Sequence, residues 1–209
     1  MEIKHPRTPH LPWSPGVGSD DKVIQDLSVL KSCKNYVISE KMDGENTSLT
    51  RDNCYARSLD STHHESRSLV KALWAGLRFN EVFTEYPDLR ICGENMYAVH
   101  SIAYENLESH FLVHSIWVGK TCLSWEDTVA LCKKLGLSTV PVSYYGPALD
   151  LIPGVWKVPE DSEGYVVRDA GEFTLDEFHL RVAKYVRANH VQTDEHWMSK
   201  YPIIKNSWQ

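Results

Sequence analysis

Apolar and polar positions along this chain alternate mostly in short runs, the pattern of strands rather than of long helices. From Tyr36 to Arg57 it reads as a strand through Tyr36-Val37-Ile38, a short polar loop, a second strand, a turn at Arg51-Asp52-Asn53 and a third strand at Cys54-Tyr55-Ala56-Arg57. Leu89-Arg90-Ile91-Cys92 and Phe111–Trp117 predict two more, the latter turning at Val118-Gly119-Lys120 into a short return. Further strands are expected over Thr139–Tyr145, Tyr165–Arg168 and Val182–Arg187. Two stretches break this rhythm. Between Ser66 and Phe83, Leu69, Leu73 and Leu77 recur every fourth residue with Val70 and Trp74 beside them, one apolar stripe of a helix. Ser124-Trp125-Glu126-Asp127 resembles a capping box opening a second helix that stops at Gly136.

Strands in antiparallel-style runs with a few interposed helices predict an α+β fold, two packed and mainly antiparallel sheets with flanking helices around a groove. Residues 1–18 carry Pro6, Pro9, Pro12 and Pro15 with Gly16 and Gly18, which excludes a regular helix and predicts an extended arm laid over the domain as a packed strap, preferred to a direct site role for Arg7 or His10.

Polar clusters sit where the apolar runs end. They are Glu40-Lys41-Met42-Asp43-Gly44-Glu45-Asn46, Cys92-Gly93-Glu94-Asn95, Ser162-Glu163-Gly164-Tyr165 and Val182-Ala183-Lys184-Tyr185-Val186-Arg187. Lysine attacks an electrophile only as the free amine, so its ordinary pKa of about 10.4 must be lowered by positive charge or desolvation. Lys184 and a metal ion can supply that charge for Lys41, and Glu94 and Glu163 are hard oxygen ligands for such an ion. This set suits attack on phosphorus, whose oxygens gather negative charge. Strand alternation puts Lys184 on the face of Val182 and Val186 and turns Arg187 away, so Lys184 is the expected site residue. The same rule groups Glu163 with Tyr165 and Val167 and sends Val166 and Arg168 to the opposite side.

Charge and cysteine content narrow the function classes. A net charge of −6 excludes nucleic-acid binding by bulk phosphate attraction, so any such contact is local. The cysteines Cys33, Cys54, Cys92, Cys122 and Cys132 are odd in number and form no CxxC pair, which points to reduced thiols in the cytoplasm and against structural zinc. The N-terminus lacks the apolar core of a signal peptide and no window has the length to span a bilayer. Gly16-Val17-Gly18 lacks the lysine of a P-loop, no serine sits in a nucleophile elbow, and His63-His64-Glu65 and His190 with His196 lack metal-site spacing.

Taken in order, Lys41-Met42-Asp43-Gly44, Cys92-Gly93-Glu94, Ser162–Arg168 and Val182–Arg187 resemble the motifs of the covalent nucleotidyltransferase superfamily of polynucleotide ligases and capping enzymes. Glu40, Asn46 and Arg57 make the chain most similar to its RNA ligase 2-like branch. The resemblance implies an ATP-dependent RNA ligase for RNA repair, in which Lys41 forms a lysyl-AMP, AMP passes to an RNA 5′-phosphate, and a 3′-hydroxyl displaces it. Mg²⁺, with Mn²⁺ as a substitute, is the implied metal, served by Glu163 and Glu94. By position, Glu40 and Arg57 place adenosine and the 5′-phosphate, Glu94 binds ribose and Lys184 meets the α-phosphate. Asp43, Asn46 and Arg187 complete the nucleotide contacts, and His114 falls where the branch commonly stacks an aromatic ring on adenine. One adenylation domain over residues 1–209 is expected; the chain departs from the family pattern in running only a short tail past the last motif, so no C-terminal accessory domain of the kind many ligases use to engage the strand is expected. A DNA ligase, a GTP-using capping enzyme and a catalytically retired nucleotide- or RNA-binding module are the alternatives, and an end-healing kinase or phosphatase partner stays open.

Overall fold

Tyr36, Val37 and Ile38 form the centre of β1 (Asn35–Glu40), and their alternation explains the layers of the molecule. Tyr36 and Ile38 point to one side, where they pack with Tyr165, Val167 and Ala183 against Leu11, Ile24, Leu30 and Cys33 of the N-terminal segment. Val37 points to the other side and meets Leu112, Trp125 and Val140 in a second core. The computed structural model describes residues 2–59, 64–148, 150–154, 156–159, 161–188 and 202–208.

A hairpin follows β1, with β2 (Glu45–Thr50) and β3 (Cys54–Ala56) closed by the expected turn. After α1 (Ser28–Lys31) at the start, the next helices are α2 (Ser68–Leu77) and α3 (Val82–Glu85). Then come β4 (Leu89–Asn95), β5 (Phe111–Val118), β6 (Thr121–Cys122) and α4 (Trp125–Leu135). The chain continues through β7 (Ser138–Thr139), β8 (Val142–Pro147), β9 (Gly164–Asp169), β10 (Phe173–Thr174), α5 (Phe178–Arg181) and β11 (Val182–Val186).

The strands make two sheets, one ordered β11-β9-β1-β8 and one ordered β10-β6-β5-β4-β2-β3 with β7 added beside β5. Every pairing within them is antiparallel except that of β7 with β5. This is the α+β architecture expected from the strand runs. The outer face of the second sheet, with Leu49, Ile91, Val113 and Ile116, is covered by Val70 of α2 and Cys132 of α4. The packed face of α2 is Val70, Leu73, Trp74 and Leu77, a spacing of three, four and seven that follows the helical period better than a strict four-residue repeat. Helix α4 begins as its sequence requires, because the Ser124 hydroxyl oxygen accepts the Asp127 N–H at 3.1 Å. It ends at Gly136, whose φ of 67° is left-handed.

One expected strand is two. Thr139–Tyr145 breaks at Pro141, which has no N–H to give to a ladder, so β7 stays with β5 while β8 crosses to β1 in the other sheet. The N-terminal arm extends the first sheet beyond β11: Lys184 N–H donates to the Pro9 carbonyl at 2.9 Å and Leu11 N–H to that of Lys184 at 2.7 Å. All five cysteines are unpaired. Among the described residues no helix is long and apolar enough to cross a membrane. His63, His190, His196 and the stretch from Asp194 to Met198 lie outside the described residues.

Candidate active site

The polar turn after β1 assigns each of its charges a different task. Lys41 N–H donates to the Gly164 carbonyl at 3.0 Å, which ties the turn to the start of β9. Asp43 faces away from the groove, its Oδ2 accepting the Ser101 and Ile102 N–H groups at 2.7 and 3.0 Å. Its own N–H donates to the Tyr104 hydroxyl at 3.1 Å. Glu45 is taken by the Arg67 guanidinium in a two-pronged ion pair. Gly44 is required by space, since a Cβ there would sit 2.6 Å from Met96 Sδ and 3.0 Å from the Asn95 carbonyl.

Glu40 and Lys41 are thereby left facing a cavity of about 400 Å³ between the two sheets. Asn46, Arg57, Glu94, His114 and Lys184 also line it. Four segments far apart in sequence therefore meet in one place. Asn46 and Glu94 are directly opposite on β2 and β4, which puts both side chains on the same face. His114 reaches that face through a bulge: the register between β4 and β5 slips at Cys92/Gly93, and His114 is the residue of β5 left without a partner. The first sheet contributes the row Ser39, Val166 and Lys184, neighbours across β1, β9 and β11.

Lys41 Nζ lies 2.6 Å from Glu163 Oε2. The Glu163 side chain is buried, yet alternation along β9 does not place it there. Val166 and Arg168 line the cavity, whereas Tyr165 and Val167 belong to the opposite core. Glu163 precedes the strand, so the grouping of Glu163 with Tyr165 and Val167 is corrected: its side chain departs from the loop and is not subject to the two-residue period. The intervening Gly164 lets β9 and β11 approach, since a Cβ there would be 1.9 Å from the Tyr185 carbonyl.

Lys184 lines the cavity and Arg187 does not. Arg187 Nε donates to the Ser162 carbonyl at 2.7 Å and its backbone N–H to the Glu163 carbonyl at 3.0 Å, so it braces the Glu163 loop from outside. Asp43, likewise absent from the cavity wall, braces the lysine turn. Both residues thus brace the loops that carry Lys41 and Glu163.

The protein groups around the two lysines pull in opposite directions. Burial draws the Lys41 ammonium downward, but the Glu163 carboxylate, with Glu94 and Asp43 behind it, outweighs this and holds its pKa above the ordinary lysine value. The Glu163 contact thus favours the ammonium form of Lys41. Lys184 is lowered, by burial and by the charge of Lys41. Burial raises Glu40, and raises Glu94 to about 8 against the pull of Lys41. Burial also lowers His114 to about 3, so its ring is neutral. Asn46 Nδ2–H donates to His114 Nε2 at 2.8 Å, while Asn46 Oδ1 is buried without a partner.

Several cavity residues escaped the sequence reading. Arg168 is buried, donates to the carbonyls of Asp169 and Leu123 at 3.0 Å, and ties the sheets together. His5, Arg7, Asp20 and Asp21 come from the N-terminal segment, and His5 meets His114 edge to face at 4.9 Å. The pairing of Val166 with Lys184 would have placed Arg168 on the cavity face from register alone. Nothing local marks the N-terminal residues. Among the described residues no group of three or more His, Cys, Asp or Glu is arranged to hold a metal alone. Glu94 and Glu163 still fit a hard cation, because Mg²⁺ typically takes one or two carboxylates with substrate phosphates and water. A buried Glu94 carboxyl held largely protonated at neutral pH is a ligand that such a cation would ionise.

The sequence model of a family described as RNA ligase matches residues 34–186. Among solved structures, an archaeal ATP-dependent RNA ligase (form 1) is similar over 88% of this chain and 48% of its own, at 20% identity and a TM-score of 0.53. A Naegleria gruberi RNA ligase variant with ATP and Mn is similar over 84% of this chain and 57% of its own, at 14% identity and a TM-score of 0.50. At such identities the likeness is one of fold. The chain spans about half the length of these solved structures. The comparison with curated proteins returned no match.

Proposed function

The chain belongs to the RNA ligase family, and from that premise we propose that it is an ATP-dependent RNA ligase that joins 3′-hydroxyl and 5′-phosphate ends through a lysyl-AMP on Lys41. The observation that carries the reading is that Lys41, which lines the cavity together with Lys184, is paired at 2.6 Å with Glu163 from the loop before β9.

In the first step Lys41 Nζ forms a bond to the α-phosphorus of ATP while the bond to pyrophosphate breaks, and the lysine gives up its protons. Glu163 controls that release. While it holds the ammonium at 2.6 Å, the amine is masked; were its carboxylate to hold a divalent cation instead, the burial of Lys41 would favour the neutral amine. A divalent cation, proposed as Mg²⁺ with Mn²⁺ as a substitute, supplies the neutralisation of phosphate charge, with Glu163 and Glu94 to hold it. Lys184 offers its N–H donors to the α-phosphate oxygens, where negative charge grows. Glu40, Asn46 and neutral His114 form the nucleoside side, and Asn46 Oδ1 is an acceptor in want of a donor. Arg57 stands at the wall as a second phosphate contact for the RNA 5′ end. In the later steps AMP passes from Lys41 to that phosphate, and the 3′-hydroxyl displaces it.

Residues 1–209 are read as one adenylation domain. The five unpaired thiols suit a reducing cytoplasm, and an end-healing enzyme is the class of partner that supplies 5′-phosphates.

The test is incubation with α-labelled ATP and Mg²⁺. Wild-type protein should retain the label covalently and Lys41→Ala should retain none; a labelled alanine variant refutes the nucleophile. Competition by unlabelled ATP but not GTP, and joining of RNA but not DNA ends, separates the reading from a capping enzyme and a DNA ligase. A wild-type protein that binds ATP without taking label is a retired module.

A further inference from the structure

Residues 1–33 precede the stretch that matches the family, yet they hold Lys184 by its backbone and by its side chain. Both backbone groups of Lys184 are bonded to the arm, through Pro9 and Leu11. Its ammonium lies 3.4 Å from Asp21 Oδ1. Asp21 is itself fixed: Oδ2 accepts the Gly18 N–H at 3.0 Å and lies 3.1 Å from Nε2 of the buried His10. His10 is anchored in turn, by Ser14 Oγ at 2.8 Å from Nδ1 and by backbone bonds to Lys22 and Ile24. Ser14 Oγ accepts the Val186 N–H at 2.9 Å, which closes the network on β11.

We propose that Asp21 is a positioning residue, a carboxylate supplied by the N-terminal segment that aims the Lys184 ammonium at the phosphates of bound nucleoside triphosphate. The inference rests on the ATP-dependent reading above. A lysine has a flexible four-carbon stem, so ordering it during the reaction would raise the barrier, whereas a carboxylate built into the fold orders it beforehand. The two lysines of the cavity are held differently. Lys41 is gripped at 2.6 Å by the residue that masks it, while the 3.4 Å contact of Lys184 is long enough to steer it without consuming its donors. An ammonium carries three N–H donors, and Asp21 engages one. Asp21 also opposes the repulsion of Lys41, which together with burial would disfavour a charged Lys184; Glu163 adds to the same support.

The test is single-turnover self-labelling with α-labelled ATP and Mg²⁺ in wild type, Asp21→Ala, Asp21→Glu, Lys184→Ala and the double variant Asp21→Ala with Lys184→Ala. Asp21→Ala should lower the maximal rate about tenfold with the apparent KM for ATP changed less than about threefold, the signature of lost orientation. Asp21→Glu should restore the rate to within about threefold of wild type. In the Lys184→Ala background, Asp21→Ala should have no further effect, because the two act as one unit. A wild-type rate for Asp21→Ala overturns the proposal, as does an equal loss in both backgrounds, which would mark a merely structural role. A faster Asp21→Ala with a lower KM also overturns it, because Asp21 would then compete with ATP for Lys184. If wild type takes no label at all, the ligase reading falls and this inference falls with it.

Discussion

Burial draws the Lys41 ammonium downward, yet its pKa is held above the ordinary value, chiefly by Glu163 at 2.6 Å. Replacing that carboxylate by an amide removes the largest raising influence and leaves burial opposed only by Glu94 and Asp43, so Glu163→Gln should make Lys41 more reactive toward an amine-acylating reagent near pH 8. The same variant should take label from ATP about 100-fold more slowly, because support for charge at the phosphate is lost. Mass-spectrometric mapping of acylated lysines alongside the labelling assay checks both. Glu94 gives a pH signature. Burial raises its carboxyl to about 8, so the folded protein keeps a proton that the unfolded chain releases above about 4.3. The stability linked to it is complete below that unfolded value and is lost as pH rises through 8; Glu40, raised by burial, acts with the same sign. His114, lowered to about 3, acts oppositely and costs stability only as pH falls below about 6.5. Melting midpoints of wild type should therefore drop between pH 6 and pH 8.5, and Glu94→Gln should flatten that drop.

At the scale of elements, the cavity depends on local breaks in regular structure rather than on the strands themselves. The bulge in β5 turns His114 inward, Pro141 sends the chain from one sheet to the other, and Gly164 lets β9 lie against β11. Gly164 is the most sensitive of these. A methyl group at 1.9 Å from the Tyr185 carbonyl cannot be accommodated by moving a side chain, so β9 must shift, and with it the row that aligns Val166 with Lys184. Gly164→Ala should cost about 3 kcal/mol in urea unfolding and abolish self-labelling together. These breaks also mark the limit of pattern reading. The helical stripe of α2, the Ser124 cap and Gly136 stop of α4, and the β2–β3 hairpin all follow from period and turn chemistry. The face of Glu163 did not, because the two-residue period applies inside a strand and Glu163 stands one residue before it.

Across the whole molecule, the segments outside the family match close around the lysine turn from two directions. The arm borders the cavity, and residues 202–208 dock behind it. Asn206 donates to the Met96 and Ala98 carbonyls at 2.8 and 3.2 Å and accepts the Tyr104 N–H at 2.8 Å, and the Tyr104 hydroxyl accepts the Asp43 N–H. Asn206→Ala leaves buried backbone groups unpaired and should cost roughly 1–3 kcal/mol in denaturant unfolding. If the proposed function holds, the net charge of −6 leaves RNA only local grips, and Arg57 and Arg7 at the cavity wall are the cations available for them. On about three phosphate contacts, affinity should fall roughly 20- to 40-fold between 50 and 200 mM salt in a filter-binding titration. The sequence by itself determined the two-sheet α+β plan and the order of its polar clusters, because side-chain period and turn chemistry act between near neighbours. Only the tertiary structure decided which charges meet. Lys41 finds Glu163 across 122 residues and Lys184 finds Asp21 across 163, and whether a lysine rests as a masked ammonium depends on such distances and on burial, neither of which is written in any local pattern.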